Sequence, residues 1–403
     1  MDAQPRRLKT MTRNYKDDPR RAEALAMDAA EIAHRLGLQG LVRTGREMVG
    51  PCPQCGGRDR FGINLTKRVF QCRKCGATGG NIDLVKFVMG MDFRAALDWL
   101  CGSVEGISPE ERREREHRAA ENKRRNDARA EAERQKVIVQ ARELWQAAAP
   151  AQGSPVHDYL ALRGIDPALY PRLPRCLRFH PDLAYTHQID GSWIEVHRGP
   201  AMLAAIQGPD GRFRGLHRTW FDLACAKGKP EILHPVSGER LKVKKSLGSV
   251  KGGAIRLTDA APVPPVLVMG EGIETTLTAL LADVPPGAAY WAGISLGNMA
   301  GQRRLGAGLK YAGLPDLGDT EAFVPPPGVQ RLVYVMDGDS EPRLTRAQLM
   351  AGIRRAMALR PGLVGQIVPC PAGVDLNDVL MGQGGSAPRP QDKIEGQRDG
   401  NRD

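Results

Sequence analysis

The sequence predicts a multidomain chain of mixed α+β and α/β class. Three observations predict it: four cysteines crowd between Cys52 and Cys75, a dense charged run follows them, and strand-like and helix-like runs alternate beyond Pro262. Such alternation favours a parallel sheet covered by helices. With 403 residues, the chain has room for two or three ordinary domains.

The balance of charge indicates the kind of partner. The chain has 58 Lys and Arg against 46 Asp and Glu, a formal net charge of +12, which favours a polyanion such as nucleic acid or an acidic membrane face. No run of 18 apolar residues occurs, and residues 1–21 lack the apolar stretch of a signal peptide. Neither a membrane span nor secretion is therefore indicated, and we expect a cytoplasmic protein.

The N-terminal segment, residues 1–49, is predicted to be helical, with a helix from about Arg21 to Leu36. Leu25, Ile32 and Leu36 recur among alanines at helical spacing, and Gly37 ends the pattern. Residues 50–102 then shift to cysteine, glycine and short apolar alternations, followed by a helical run. We expect this second segment to be a small domain organised by a metal ion.

The four clustered cysteines have the spacing of a zinc site. Cys52 and Cys55 form one Cys-x2-Cys pair, and Cys72 and Cys75 form another 16 residues later. Four thiolates suit tetrahedral zinc, and four protein ligands leave no open position, so the metal would be structural. The alternatives are two disulfides or four free core thiols, which a reducing compartment disfavours.

Basic and aromatic side chains surround the cysteine pairs. Such a mixture suits the phosphates and stacked bases of single-stranded nucleic acid, and the candidate cations are Arg58, Arg60, Arg73 and Lys74. Phe61 and Phe70 have two possible roles. They could stack on bases, or they could form the small core that a zinc ribbon needs.

Residues 103–150 are predicted to be a charged helical linker. Ser108, Pro109 and Glu111 have the pattern of a capping box at a helix start. Glu and Arg interleave along the following run instead of segregating, which favours a solvated helix over a dedicated nucleic-acid arm.

Three further segments complete the predicted organisation. Residues 151–261 have the short apolar runs, prolines and glycines of a mixed α+β region. Residues 262–382 alternate strands and helices, and residues 383–403 have the composition of a disordered tail.

Acidic residues follow three of the apolar runs in residues 262–382. The carboxyl ends of parallel strands share one edge of a sheet, so carboxylates from separate strands can converge there and bind Mg²⁺. The candidate ligands are Glu271, Asp337, Asp339, Asp375 and Asp378. Taken singly, each acid is equally typical of a turn or a helix cap.

These motifs resemble those of a known family. GEGIETTLTALL, YWAGISLGNM, YVMDGDS and VDLNDVL resemble a Toprim domain, and CPQCGGRDRFGIN through FQCRKCGATGGNIDLV is similar to the zinc ribbon of phage and plasmid primases. Their order along the chain is that of a primase with an N-terminal zinc ribbon and a C-terminal Toprim domain. After DGD the chain reads SEPRLTRAQ, where many Toprim domains have a small-residue turn.

The resemblance implies roles for particular residues. Glu271 would assist proton transfer from the attacking 3′-hydroxyl, and Asp337 and Asp339 would hold catalytic Mg²⁺, or Mn²⁺ in its place, against the incoming triphosphate. Asp375 and Asp378 match less distinctive positions, and Glu274 is expected to be a spectator rather than an extra ligand.

Four cations ahead of the Toprim-like block are candidates for binding triphosphate or template: Arg218, Lys244, Lys245 and Lys251. The resemblance to plasmid-type primases extends weakly into this region; the alternative is a solvated basic hairpin. No GxxxxGK[ST] loop occurs in the sequence, so a partner helicase is expected to be a separate polypeptide.

The leading hypothesis is a DNA primase of phage, plasmid or integrated-element type. It would make short RNA primers from ribonucleoside triphosphates on a single-stranded DNA template, by Mg²⁺-dependent nucleotidyl transfer. The alternatives are a Toprim-type nuclease, in which the same acids activate water, and a non-catalytic zinc-ribbon protein that binds single-stranded DNA.

Overall fold

The computed structural model describes most of the chain between residues 18 and 370. The described residues are 18, 20–102, 109–166, 172–189, 192–259, 261–282, 285–304, 306, 308–336 and 341–370. The chain forms two units: Met1–Glu133 with Thr186–Ile194, and Arg134–Tyr185 with Glu195–Asp403. Among the described residues, no helix is both long enough and apolar enough to cross a membrane.

The first unit contains an antiparallel sheet packed against short helices. Its strands, in spatial order, are β1 (Val42–Thr44), β2 (Glu47–Cys52), β3 (Gly56–Asn64), β4 (Val69–Cys72) and β5 (Thr78–Gly80). Its helices are α1 (Arg20–Ala26), α2 (Ala29–Arg35), α3 (Asn81–Met89) and α4 (Phe93–Cys101). A helix of 39 residues, α5 (Pro109–Ala147), begins in this unit. Ser108, predicted as its cap, lies outside the described residues.

The helix predicted from about Arg21 to Leu36 is two helices. The chain breaks after Ala26, and the Asp28 side chain accepts hydrogen bonds from the backbone N–H groups of Ala30 and Glu31. An aspartate placed so satisfies donors that a helix start leaves free. The single-helix prediction was wrong because apolar spacing continues across this cap.

Two five-stranded sheets belong to the second unit, apart from the residues of β7 and β8 between Thr186 and Ile194. The first has the order β10 (Lys244–Gly248), β9 (Phe213–Trp220), β8 (Ser192–Gln207), β7 (Leu177–Ile189) and β6 (Ala149–Pro150). Strand β9 pairs antiparallel with both β8 and β10. Met202 and Ala204 of β8 enter one buried cluster, and Ala201 and Leu203 enter another. Both faces of this sheet are therefore covered, as strand alternation requires.

The second sheet has four parallel strands and one antiparallel edge strand. Its order is β11 (Ile255–Arg256), β13 (Ala289–Ala292), β12 (Val266–Gly270), β14 (Arg331–Met336) and β15 (Val364–Pro369). Strands β12 to β15 run parallel, and β11 pairs antiparallel with β13. The predicted parallel sheet in this part of the chain is confirmed, and so is the mixed α+β character of the whole.

Helices cover both faces of the parallel sheet. Residues of α9 (Pro342–Leu359) and α8 (Leu296–Ala300) pack on the face with Met269 and Tyr334. Residues of α7 (Ile273–Leu281) pack with Val268 and Tyr290 on the other face.

One buried cluster joins the two sheets of the second unit. Met202 and Ala204 of β8 pack with Ile273 and Leu277 of α7, and Tyr159 of α6 (Val156–Leu162) completes the contact. The antiparallel sheet therefore abuts the helix that follows Glu271, the first acid of the predicted metal edge.

Candidate metal centre, carboxylate edge and basic strand

The four clustered cysteines meet in the first unit. Their Sγ atoms all lie within 4.8 Å of one another. The separation is 3.5 Å between Cys55 and Cys72 and 3.8 Å between Cys52 and Cys75. These distances exceed the S–S bond length of roughly 2.05 Å, and all four are free thiols. The disulfide alternative is therefore wrong.

Two tight turns bring the cysteines together. Cys52 ends β2 and Cys72 ends β4, and each second cysteine is followed by a glycine with positive φ, Gly56 at 65° and Gly76 at 70°. Only glycine adopts this conformation without steric cost. The two Cys-x2-Cys pairs predicted from the spacing therefore form tight turns, and the turns bring all four sulfurs together.

The cluster has the dimensions of a zinc site. A tetrahedron with Zn–S bonds of about 2.3 Å has edges of roughly 3.8 Å, which the two measured separations approach. The Cys75 backbone N–H donates to the Cys72 Sγ over 3.5 Å and is the main cause that lowers the pKa of Cys72 to about 6. A backbone N–H that donates to sulfur stabilises the thiolate, the ligand form that zinc requires. The donor set therefore fits structural zinc held by all four cysteines.

Cations around the cluster lie at the surface. Arg58, Arg73 and Lys74 are exposed, and Arg60 is half-buried. The stem of Arg60 crosses Gly57 so closely that a Cβ there would lie 2.5 Å from its Cδ. The four residues predicted to contact nucleic acid are thus at least partly accessible to solvent.

The two phenylalanines form the core of this unit. Phe61 is fully buried and Phe70 is 2% exposed. Their ring centroids lie 5.6 Å apart, and both rings stack on Phe87 of α3. Of the two roles open from the sequence, the structure supports the core role, because a buried ring presents no face to a base.

Truncating one of these rings will destabilise the first unit. We expect Phe61→Ala to lower the free energy of unfolding by about 3–5 kcal/mol, since it removes a full ring from a closed core. Urea unfolding of the whole chain followed by circular dichroism measures this. Val69→Ala, at a 40% exposed position of β4, is the matched control. Equal effects of the two substitutions would contradict the core role.

The first predicted acid follows a buried strand of the parallel sheet. Glu271 comes directly after β12 and is half-buried, and its carbonyl accepts a hydrogen bond from the N–H of Ile294 over 2.9 Å. Gly270 permits the turn, because a Cβ there would lie 2.8 Å from the Thr276 Oγ1. That hydroxyl donates to the carbonyl of Gly272 over 2.7 Å. The backbone holding Glu271 is thus fixed on both sides.

The strands that precede the other acids end at the same edge of the sheet. Met269 of β12 lies opposite Tyr334 of the adjacent β14. Two residues beyond this pair, the strands reach Glu271 and Met336, and β15 ends beside Met336 at Pro369. The other four predicted ligands lie outside the described residues: Asp337, Asp339, Asp375 and Asp378.

Glu274, expected to be a spectator, is the centre of a buried charge network. It is 3% exposed in the first turn of α7. The Tyr159 hydroxyl donates to its Oε1 over 2.6 Å, and the Lys244 Nζ donates to its Oε2 over 2.7 Å. The network therefore ties α6, α7 and β10 together.

Electrostatics within this network favour the charged carboxylate. Burial alone would raise the pKa of Glu274, but the charge and hydrogen bond of Lys244, with the Tyr159 hydroxyl, hold it far below the ordinary value. Burial and the nearby carboxylate raise the pKa of Tyr159, which stays a proton donor. Burial, followed by the Lys244 charge, lowers the pKa of His217 to about 4. Near neutral pH, the His217 ring beside the network is therefore uncharged.

Two other predicted cations lie side by side on the paired strands β9 and β10. Lys245 lies opposite Arg218 of β9. The Lys245 Nζ lies 4.4 Å from the centroid of Tyr185, and the Arg218 guanidinium lies 5.3 Å from that of Trp220. Burial lowers the pKa of both, that of Arg218 to about 10. These two cations are packed on aromatic rings rather than extended into solvent.

Lys251 and Gly248 also have close contacts within the protein. Lys251 forms an ion pair with Glu321. Gly248 has a φ of 96°, and a Cβ there would lie 2.6 Å from the carbonyl oxygen of Arg214. The glycine therefore permits close strand pairing, a sufficient reason for its presence without a bound phosphate.

The sequence did not indicate the network around Glu274. Tyr159 lies 115 residues before Glu274 in the chain, and Lys244 belongs to a basic run that is equally typical of a solvated hairpin. The available signal was an acid within the otherwise apolar and threonine-rich start of α7. Such a position predicts burial, but it does not identify a partner.

The chain is similar to one protein family of unknown function and to several solved primase structures. A family model described as a domain of unknown function (DUF7146) matches residues 135–257. No curated protein matches the chain. The zinc-binding and RNA polymerase domains of the Aquifex aeolicus primase are similar, with 14% identity, a TM-score of 0.34, and coverage of 91% of this chain and 82% of that one.

Two further solved structures show similarity of the same kind. The RNA polymerase domain of the Mycobacterium tuberculosis primase DnaG has 17% identity and a TM-score of 0.34, covering 62% of this chain and 79% of that one. The primase fragment of the bacteriophage T7 primase-helicase protein has 12% identity and a TM-score of 0.30, covering 83% of this chain and 95% of that one. The structural neighbours are thus primases of low sequence identity.

Proposed function

We propose that the protein is a DNA primase that synthesises short RNA primers on single-stranded DNA. The carrying observation is that Glu271 follows β12 two residues after Met269, while Met336 ends the adjacent parallel strand two residues after Tyr334, the partner of Met269. The residue after Met336 in the sequence is Asp337. Adjacent strands lie about 4.8 Å apart. A glutamate at this edge and an aspartate next in sequence after the neighbouring strand are residue types suited to one shared cation.

The carboxylates are proposed to divide the chemistry. Glu271 takes the proton from the attacking 3′-hydroxyl as that oxygen bonds to the α-phosphate, and pyrophosphate leaves. Asp337 and Asp339, with Asp375 and Asp378, are the residues that would hold Mg²⁺. Such an ion, when bound, neutralises charge on the phosphates.

The rest of the chain supplies features that a primase needs. The four-cysteine cluster and its exposed arginines are proposed to engage the single-stranded template. Lys244, Lys245, Arg218 and Lys251 are proposed to attract the triphosphate or the template, although the structure gives each an internal contact. A separate helicase and an origin in a phage, plasmid or integrated element remain part of the proposal.

The direct test is incubation with single-stranded DNA, labelled ribonucleoside triphosphates and Mg²⁺. We expect the wild type to make short RNA, and Glu271→Gln and Asp337→Ala each to reduce the yield by at least about 10²-fold, the usual size of an acid–base contribution. Glu231→Gln, at an exposed position in a loop, is the matched control and should retain full yield.

The same assay separates the alternative functions. Degraded template that depends on Glu271 would indicate a nuclease, and DNA bound without either product would indicate a non-catalytic binding protein. Full primer yield from Glu271→Gln would remove the proposed role of this residue. Melting temperatures of all variants show whether a lost product reflects lost folding.

A further inference from the structure

A cavity in the second unit shares no residue with the carboxylate edge or with β10. It lies between the β8–β9 turn, the edge strand β11, and the segment before β14, and its volume is about 70 Å³. One water needs roughly 10–15 Å³ of such space, so about five waters or one small oxyanion would fit. Its lining includes Arg256, Arg360, Trp291, Phe323, Gly208 and Gly252.

The charge on the cavity wall is positive. The Arg256 guanidinium donates to the carbonyl of Gly208 over 2.8 Å, and the Arg360 Nε donates to the carbonyl of Pro325 over 3.1 Å. Carbonyl oxygens leave the formal charges in place. Asp210 is the acid whose charge raises the pKa of Arg256, and its carboxylate also accepts a hydrogen bond from the Arg214 side chain over 2.9 Å.

Two donors on residues that line the cavity lack acceptors. The Trp291 Nε1 and the Arg256 Nε are excluded from solvent, and neither has a hydrogen-bond acceptor among the described residues. A buried donor left without an acceptor costs about 1–3 kcal/mol, and more when it carries charge. Burial also lowers the pKa of Arg256, against the opposing charge of Asp210.

The frame that holds these donors is rigid. Arg256 pairs with Trp291 across β11 and β13, and its guanidinium lies 4.3 Å from the centroid of the indole. Phe323 packs against the same indole edge-on, with centroids 6.2 Å apart. Asn298 accepts from the Gly252 N–H over 2.9 Å and donates to the carbonyl of Gly253 over 2.8 Å. These contacts set the donors in place before any ligand arrives.

We propose that this cavity binds a phosphate group through Arg256, Arg360 and the indole N–H of Trp291. The lining offers donors and positive charge, so the ligand must be an acceptor and an anion, and guanidinium groups match the oxygens of phosphate. The phosphate belongs either to a free phosphorylated compound, such as pyrophosphate or a nucleotide, or to the backbone of single-stranded DNA.

Calorimetric titration with pyrophosphate and with inorganic phosphate tests the proposal. The titrations use the whole zinc-loaded protein without added Mg²⁺, so they do not depend on nucleotidyl transfer or on the carboxylate edge. We expect saturable binding that weakens at least tenfold in Arg256→Met and in Arg360→Met. Arg354→Met is the matched control, because Arg354 also donates to backbone carbonyls but does not line the cavity.

Further variants keep the test decisive if Arg256→Met does not fold. Arg256→Lys retains charge without the planar fork, and we expect intermediate affinity. Trp291→Phe retains a ring without the N–H, and we expect weaker binding and loss of any fluorescence change on adding pyrophosphate. Absence of saturable binding, or equal affinity in wild type, Arg360→Met and Trp291→Phe, would overturn the proposal.

Competition then assigns the source of the phosphate. If a single-stranded oligonucleotide displaces pyrophosphate from the wild type, and the displacement weakens in Arg360→Met, the cavity binds the DNA backbone. If the oligonucleotide binds without displacing pyrophosphate, the cavity binds a free phosphorylated compound.

Discussion

Cys72→Ser will abolish zinc binding and unfold the antiparallel sheet of the first unit. Serine offers no thiolate, and three ligands hold the ion too weakly to retain it in a structural site. Structural zinc contributes about 10–16 kcal/mol in small domains, and most of this would be lost. We expect the bound zinc to fall from one equivalent to less than about a tenth, measured by elemental analysis, with loss of the low-denaturant baseline in circular dichroism.

Cys225→Ser is the matched control for this substitution. Cys225 is a half-buried free thiol in the second unit, where it donates to the Asp222 carboxylate over 3.4 Å. We expect it to retain one equivalent of zinc and the wild-type unfolding curve. A full equivalent of zinc in Cys72→Ser would show that the four thiols do not form the metal site.

Glu274→Leu will destabilise the second unit by about 3 kcal/mol. Removing the carboxylate leaves Lys244 and the Tyr159 hydroxyl without their acceptor, and breaking a buried ion pair from one side costs about 3–5 kcal/mol. The lower value applies because Lys244 keeps 34% of its side chain exposed to solvent. Urea unfolding of the full chain measures the change.

A double variant distinguishes the ion pair from simple packing. Glu274→Leu combined with Lys244→Met replaces both charges by apolar groups, and we expect it to recover at least half of the lost stability. Glu239→Gln, at an exposed position, is the control and should change stability by less than about 0.5 kcal/mol. A double variant no more stable than Glu274→Leu would contradict the ion-pair account.

The network also sets a dependence on pH. Because the folded state holds the pKa of Glu274 below the unfolded value of about 4.3, its contribution is complete above that value and is lost as the pH falls through the lower folded pKa. The difference in stability between wild type and Glu274→Gln should therefore be constant from pH 7 to pH 5. Below pH 5, the difference should become smaller. Melting temperatures of both proteins, measured from pH 7 to below pH 5, report this difference.

The sequence predicted the parallel sheet closely. Runs such as Val266–Met269 and Leu332–Met336 are apolar, rich in valine and leucine, and bounded by turn-forming or charged residues, the pattern of strands buried on both faces. The cysteine spacing likewise predicted the metal cluster, since two intervening residues nearly determine the turn. In both cases the information is local in the chain.

What the sequence did not predict depends on contacts between distant segments. The antiparallel sheet pairs β9 with β10 across a loop of 23 residues, and no short pattern encodes such pairing. The same limit hid the partners of Glu274, because periodicity marks a buried face but not the group opposite it. It also hid the cavity at Arg256 and Trp291, whose wall comes from segments more than 100 residues apart in the chain.

The buried core shared by α6, α7 and β8 limits how this protein can evolve. Tyr159 and Lys244 come from the sequence before the parallel sheet, and the carboxylate they bind comes from within it. If recombination replaced residues 262–370 by a foreign sheet, Tyr159 and Lys244 would lose their buried acceptor in one product. In the reciprocal product, the Glu274 carboxylate would be buried without its donors. The two halves of the second unit must therefore be inherited together, or diverge by coordinated substitutions at the point where they meet.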